Sequence, residues 1–496
     1  MLFSWPKITR RVALAAFLCC SPSLVFSQPA DPEFPLLAKT PYPAQHANPR
    51  NSDYTPYTSP TQLRLKWKAL EDSSIVQGCT TDRGQLYCAR GWDRTTDRCN
   101  LVVLDEKDGR MLWEDRVDGR CLLDEYASLT NPTVDRDGNL YINDSEKIVS
   151  FTADGKLRWT NSTPGTLPSR KGLINAPFGL VLLASGELAT ATLGDGWILF
   201  LDSGTGELTR EPFDLPAEKR ALEQTSRLLL PDARPEGFME NLMSPGAAQV
   251  LWDFALGESD FETDNNIAVD ETHQLLFISS GAPYPNPANT GALWAVSYAD
   301  DKPEVAFYVA LDVEGGIATT PTITPDNRLV LIGDNARNLV TVDIERCLAV
   351  VDGDACTHYS AHPINHDLTS SVIVTDDNLL IIPSGQRGYA AYRLGLDQGE
   401  VGLEQVWETR LAWLPIGVSV HLAFDNVVWI PFYHIGRQQP FIVALDIETG
   451  QEVARYKSGD AANVTMASDG RTLVANIMSF IESNFLGRLG FEVRAG

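Results

Sequence analysis

The sequence predicts an all-β chain built from one repeated unit arranged as a ring, and three observations carry that reading. First, an apolar run ending in Leu-Asp, a turn with Gly and a strand often closed by Trp recurs at 101–113, at 153–159 in shortened form, and at 442–453. Second, hairpin copies recur at 131–141, 266–278, 320–330, 371–379 and 463–474, most with Asp-Gly or Asp-Asn at the tip, because tight hairpins need residues that tolerate positive φ. Third, the spacing is roughly 40 to 50 residues, the period of a β-propeller blade. Weaker copies start near Ser74, Leu173 and Pro415, so the expected fold is an eight-bladed β-propeller, with seven blades if one weak copy fails.

The last copy, from Ala461, ends after about three strands. Residues 63–68 look like a Trp-bearing outer strand, with Trp67, but follow no blade of their own. Pairing them with the C-terminal strands closes the ring and removes its open edges. Domain bounds follow: 1–27 an export signal, 28–61 an extended segment wrapping the ring, and 62–496 the propeller, interrupted at 216–260 by an insertion with a helix-forming run at 217–224.

Lys7, Arg10 and Arg11 precede the apolar run 12–20, too short to span a bilayer, with a cleavage site after Ser27. The chain is therefore expected in the periplasm or outside the cell. Removing Cys19 and Cys20 with the signal leaves six cysteines, an even number that suggests disulfides. Short loops close most easily, which pairs Cys79 with Cys88, Cys99 with Cys121, and Cys347 with Cys356. None sits in a CxxC or CxxCH motif, which disfavours covalent haem and thioredoxin-like redox chemistry.

At 496 residues and 44% apolar the chain can bury a large core. A formal net charge of -25 repels phosphate backbones and anionic lipid surfaces, which excludes nucleic acid as a partner. Two residue sets are candidate sites. The hairpin alignment stacks Asn131, Asn266, Thr320, Ser371 and Asn463 at equivalent inner-strand positions, a ring of neutral hydrogen-bonding groups at the channel mouth that could hold a sugar, a peptide backbone or water. His358, His362 and His366 recur every fourth residue; on one helical face they could ligate a transition metal with Asp367 nearby, although Pro363 argues against a regular helix. The turn 135–139 shares residues with a calcium loop but lacks the distal Glu and reads as a hairpin.

The Leu-Asp, Thr-Gly, Trp phrase, best kept at 104–113 and 445–450, resembles the repeat of pyrroloquinoline-quinone (PQQ) dehydrogenases and their cofactor-free relatives over residues 62–496. The resemblance implies that Trp67, Trp113, Trp159 and Trp407 dock one blade on the next, with Tyr456 and Phe213 in that place elsewhere. In the dehydrogenases it also implies a vicinal disulfide against the quinone, a calcium held by Glu, Asn and Asp, and an Asp base. Here the only adjacent cysteines are Cys19 and Cys20, and no Glu-Asn-Asp set falls on matching positions. The expected function is therefore a non-catalytic binding or scaffold protein of the cell envelope, monomeric, needing no cofactor and recognising an envelope protein or a small-molecule or glycan ligand. The alternatives are a PQQ- and calcium-dependent dehydrogenase and a metal-assisted hydrolase or polysaccharide lyase.

Overall fold

Each complete copy of the repeat folds as four antiparallel strands, to which the seventh adds Tyr54–Thr55 and Leu414–Pro415 as further strands of its sheet. The structure is a computed structural model that describes residues 33–477, apart from 216–264, 281–290 and shorter stretches between strands. Seven such sheets follow one another along the chain, at 79–114, 133–161, 181–214, 268–311, 322–363, 373–410 and 423–457, and form the blades of a β-propeller. The weak copies expected near Ser74, Leu173 and Pro415 have innermost strands Cys79–Asp82, Val181–Leu182 and Ala423–Phe424.

The core lies between blades, where two sheet faces meet. Tyr141 and Ile148 of the second blade, Leu188 and Phe200 of the third, and Val269 and Leu276 of the fourth are almost completely buried in one continuous cluster. After the seventh blade, strands Ala461–Met466 and Leu473–Ile477 form a two-stranded hairpin. Val464 and Met466 pack on Phe424 and Trp429 of the seventh blade, while Ala467 and Val474 pack on Leu86 and Val102 of the first. Four strands are expected at this eighth position, but among the described residues only two pair. Residues 62–70 are described without strand pairing, although Trp67, Ala69 and Leu70 pack on the same cluster. The expected insertion 216–260 and the expected export signal 1–27 lie outside the described residues.

The repeated phrase has a mechanical explanation. Gly109, Gly155, Gly206 and Gly450 take φ of 73°, 82°, 76° and 66° in the turn that follows the Leu-Asp run or its equivalent. An indole from the preceding strand, or for Gly109 from the unpaired stretch 62–70, lies on that glycine: Trp67 on Gly109, Trp113 on Gly155, Trp159 on Gly206, Trp407 on Gly450. A Cβ at Gly155 would stand 2.7 Å from the Trp113 ring, so both the left-handed conformation and the space require glycine. Each indole N–H then donates to a carbonyl of the same turn: Trp67 to Glu106 at 3.0 Å, Trp113 to Ala153 at 3.1 Å, Trp159 to Ser203 at 3.1 Å, and Trp407 to Ile447 at 2.9 Å. Gly and Trp are thus the two halves of one inter-blade joint. Trp159→Ala, which empties a buried joint, is expected to lower stability by about 3 kcal/mol in urea unfolding. A loss under about 1 kcal/mol would contradict the joint.

All three expected disulfides are present. Cys79 and Cys88 sit directly opposite each other on neighbouring strands with Cα atoms 4.4 Å apart; Cys99–Cys121 and Cys347–Cys356 close the other two local loops. The last of these ties the short helix Ile344–Leu348, capped by Asp343, to the segment that follows it.

Candidate functional site

The innermost strand of a blade presents a free edge to the propeller axis, and its N–H groups need acceptors. Here the chain supplies them from its own N-terminal segment. Thr81, Val134, Val269, Ile323, Val374 and Ala423 donate to the carbonyls of Tyr42, Pro43, Pro49, Arg50, Ser52 and Asp53, all at 2.8–3.0 Å. The acceptors serve the first, second, fourth, fifth, sixth and seventh blades in chain order, so the segment makes one turn about the axis in the same sense as the blades. It lies within the ring rather than wrapping around it. Proline suits this role because it offers a carbonyl and has no N–H to leave unpaired.

Side chains lock the turn. His46 Nδ1 meets both Asp53 carboxylate oxygens at 2.9 and 3.0 Å, and the Asp53 N–H donates to the His46 carbonyl at 3.1 Å. Both residues are fully buried, and burial pushes the Asp53 carboxyl above its ordinary value against the pull of His46. Asn51, also fully buried, donates from Nδ2 to the carbonyls of Ile267 and Pro321, each at 3.0 Å. His46, Ala47, Asn51 and Asp53 have φ between 50° and 69°. Such a run of left-handed non-glycine residues is strained, and three of the four are His, Asn and Asp, which tolerate it best. Tyr54–Thr55 then pairs in parallel with Ala423–Phe424, and Ser59 accepts from the Trp429 indole at 2.7 Å.

The ring of polar residues expected at the channel mouth faces this segment. Asn131, Asn266, Thr320 and Ser371 are 1–3% exposed. Asn131 Nδ2 donates to the Tyr42 hydroxyl at 3.2 Å, Asn266 Nδ2 to Asn51 Oδ1 at 3.3 Å, and Thr320 Oγ1 lies 3.5 Å from His46 Nε2. Asn131 Oδ1, Asn266 Oδ1 and Ser371 Oγ have no protein partner, which suits ordered water. Asn463 lies in the terminal hairpin. Sequence reasoning missed Tyr42, His46, Asn51 and Asp53; the signal was the density of Pro, Asn and Asp in 40–60.

The histidine set lies on no helix. His362 belongs to the strand Tyr359–Pro363, His358 precedes it, and His366 lies outside the described residues. Four residues of extended chain span about 13 Å, too far for His358 and His362 to share one ion. His362 instead meets Thr341 Oγ1 at 3.2 Å across the sheet, and burial lowers its pKa. In the 135–139 turn, Asp135 accepts from the N–H groups of Asp137 and Asn139 and from the Tyr141 hydroxyl, which occupies its carboxylate as a hairpin cap.

A cup of about 510 Å³ opens between the axial segment and the tip turns of the fifth and sixth blades. Phe34, Pro41, Tyr54 and Tyr57 contribute aromatic and proline surface, with Lys39 and Asp376 as charged wall residues. Its size suits a small ligand or a short peptide stretch.

No protein-family model matches the chain. A stretch of 175 residues, 35% of the chain, is 26% identical to protein Rv3035 of Mycobacterium tuberculosis and spans 38% of that protein's length. Among solved structures, the quinohemoprotein alcohol dehydrogenase of Comamonas testosteroni aligns over 87% of this chain and 75% of its own with a TM-score of 0.53 at 11% identity, a likeness of fold. BamB of Moraxella catarrhalis aligns over 85% of this chain and all of its own with a TM-score of 0.44 at 12% identity.

The residues present do not fit the quinone site that the sequence resemblance implies. The disulfides join cysteines 9, 22 and 9 residues apart, so none is vicinal. Among the described residues no group of three or more His, Cys, Asp or Glu is arranged to hold a metal ion. The side chains of Tyr42, His46, Asn51 and Asp53 take up the axis itself.

Proposed function

We propose that the chain is an exported, non-catalytic propeller of the PQQ-like repeat type that binds a partner over the cup built by its N-terminal segment. The observation that carries this reading is the axial segment: residues 42–53 spend the inner-strand donors that a substrate or cofactor on the axis would need. The cup offers aromatic and proline surface of the kind that recognises a partner. Three disulfides and the N-terminal sequence support a periplasmic or extracellular location. We place an envelope protein in the cup, with the propeller acting as a monomer. We further assign the terminal hairpin and residues 62–70 to an eighth blade, because Trp67 makes with Gly109 the joint that each other outer-strand Trp makes with the next blade.

Adding PQQ with calcium to the purified full chain is expected to leave its melting temperature unchanged; a saturable rise would establish the quinoprotein alternative. A photo-crosslinking residue at Tyr57, in the cup, is expected to give one discrete adduct in the native compartment. The same label at Leu157, exposed on an outer strand, should not. Equal labelling from both positions, or none from either, would overturn the cup as the binding face.

A further inference from the structure

We infer that the axial channel is a peptide-binding site and that its resident ligand is residues 33–59 of this same chain, a separable element rather than part of any blade. This goes beyond the binding role above and does not depend on which partner the cup takes.

Three features distinguish the segment from the blades. Within every blade the strands pair antiparallel, whereas Tyr54–Thr55 joins Ala423–Phe424 in parallel, as a peptide added to an existing sheet edge can. Its other main contacts are backbone carbonyls that accept from the inner edges of five further blades, the donor pattern a bound extended peptide uses. It is also folded on itself through the His46–Asp53 contacts, which lowers the entropy lost on docking. Among its side-chain anchors is Asn51, whose amide bridges the residues that lead into the inner strands of the fourth and fifth blades. Thr58 and Gln62 are exposed, so the connection out of the channel runs over the surface.

The test uses the full chain with a protease recognition site inserted between Thr61 and Gln62. After folding and cleavage, the N-terminal fragment is expected to co-elute with the propeller at one to one in gel filtration, with the fold intact by circular dichroism. In mild denaturant the fragment should exchange with a labelled synthetic peptide of residues 33–61. A peptide carrying Asn51→Ala should compete about 30-fold more weakly, since it leaves two buried carbonyls without a donor. A peptide carrying Thr58→Ala, at an exposed position, should compete as well as the parent. Prompt loss of the fragment with the propeller still folded, loss of the fold on scission alone, or equal competition by the Asn51→Ala peptide would each overturn the inference.

Discussion

Raising the pH from about 5 to about 8 is expected to lower the urea midpoint of this protein, and Glu106→Gln is expected to remove much of that loss. Glu106 is 4% exposed and accepts from the Ser468 N–H at 2.6 Å and from its hydroxyl at 2.7 Å, tying the terminal hairpin to the first blade. Burial dominates over these hydrogen bonds, with the Asp469 carboxylate adding to it, and pushes the carboxyl from 4.5 up to about 7. Between those values the folded chain keeps the proton and the unfolded chain releases it. The unfolded state therefore binds fewer protons, and stability falls as the pH rises. The contribution is fully present below about 4.5 and is lost as the pH passes about 7. Its size is on the order of 3 kcal/mol. Asp82, pushed by burial up to about 6, the buried Asp115, and the half-buried Asp124 and Glu271, all raised by desolvation, act in the same direction, so a residual slope should persist in the variant. Glutamine keeps an acceptor for Ser468 without a charge. Parallel pH profiles for the two proteins would show that Glu106 is not the group responsible.

Replacing residues 62–70 by a Gly-Ser linker of equal length is expected to lower stability by on the order of 5 kcal/mol and to expose the hairpin 461–477 to hydrogen exchange first. The replacement removes the Trp67 ring from Gly109, its N–H from the Glu106 carbonyl, and the packing of Ala69 and Leu70 on Leu86 and Val474. It also removes the Leu63 side chain from the cluster it packs against on the seventh blade, beside the Tyr456 hydroxyl that accepts from its backbone N–H. Uniform exchange across all blades with unchanged melting would exclude this stretch from ring closure.

Features governed by short-range geometry were legible from residues alone. The Cys79–Cys88 bridge lies across a single hairpin, so spacing and alternation sufficed to pair it. Gly155 and Trp113 could be read as parts of one phrase because a left-handed turn and an aromatic strand leave local marks in the repeat. The histidine spacing misled because period four implies a shared face only on a helix, whereas cross-strand pairing with 338–342 holds 359–363 extended. The axial segment was illegible for a different reason. Asn51 meets its partners at Ile267 and Pro321, more than two hundred residues away, and no periodicity in 33–59 marks such contacts.

By itself, then, the sequence determined the all-β repeat with its Gly turn and Trp strand and the three local disulfides, because each is satisfied within one blade or between adjacent ones. Only the tertiary structure decided what fills the axis. Inner-strand N–H groups become neighbours when the ring assembles, and their shared need for acceptors is a property of the assembled edges that no single repeat carries. The same step turned Asn131, Asn266 and Thr320 from a ring that could receive a ligand into partners of Tyr42, Asn51 and His46.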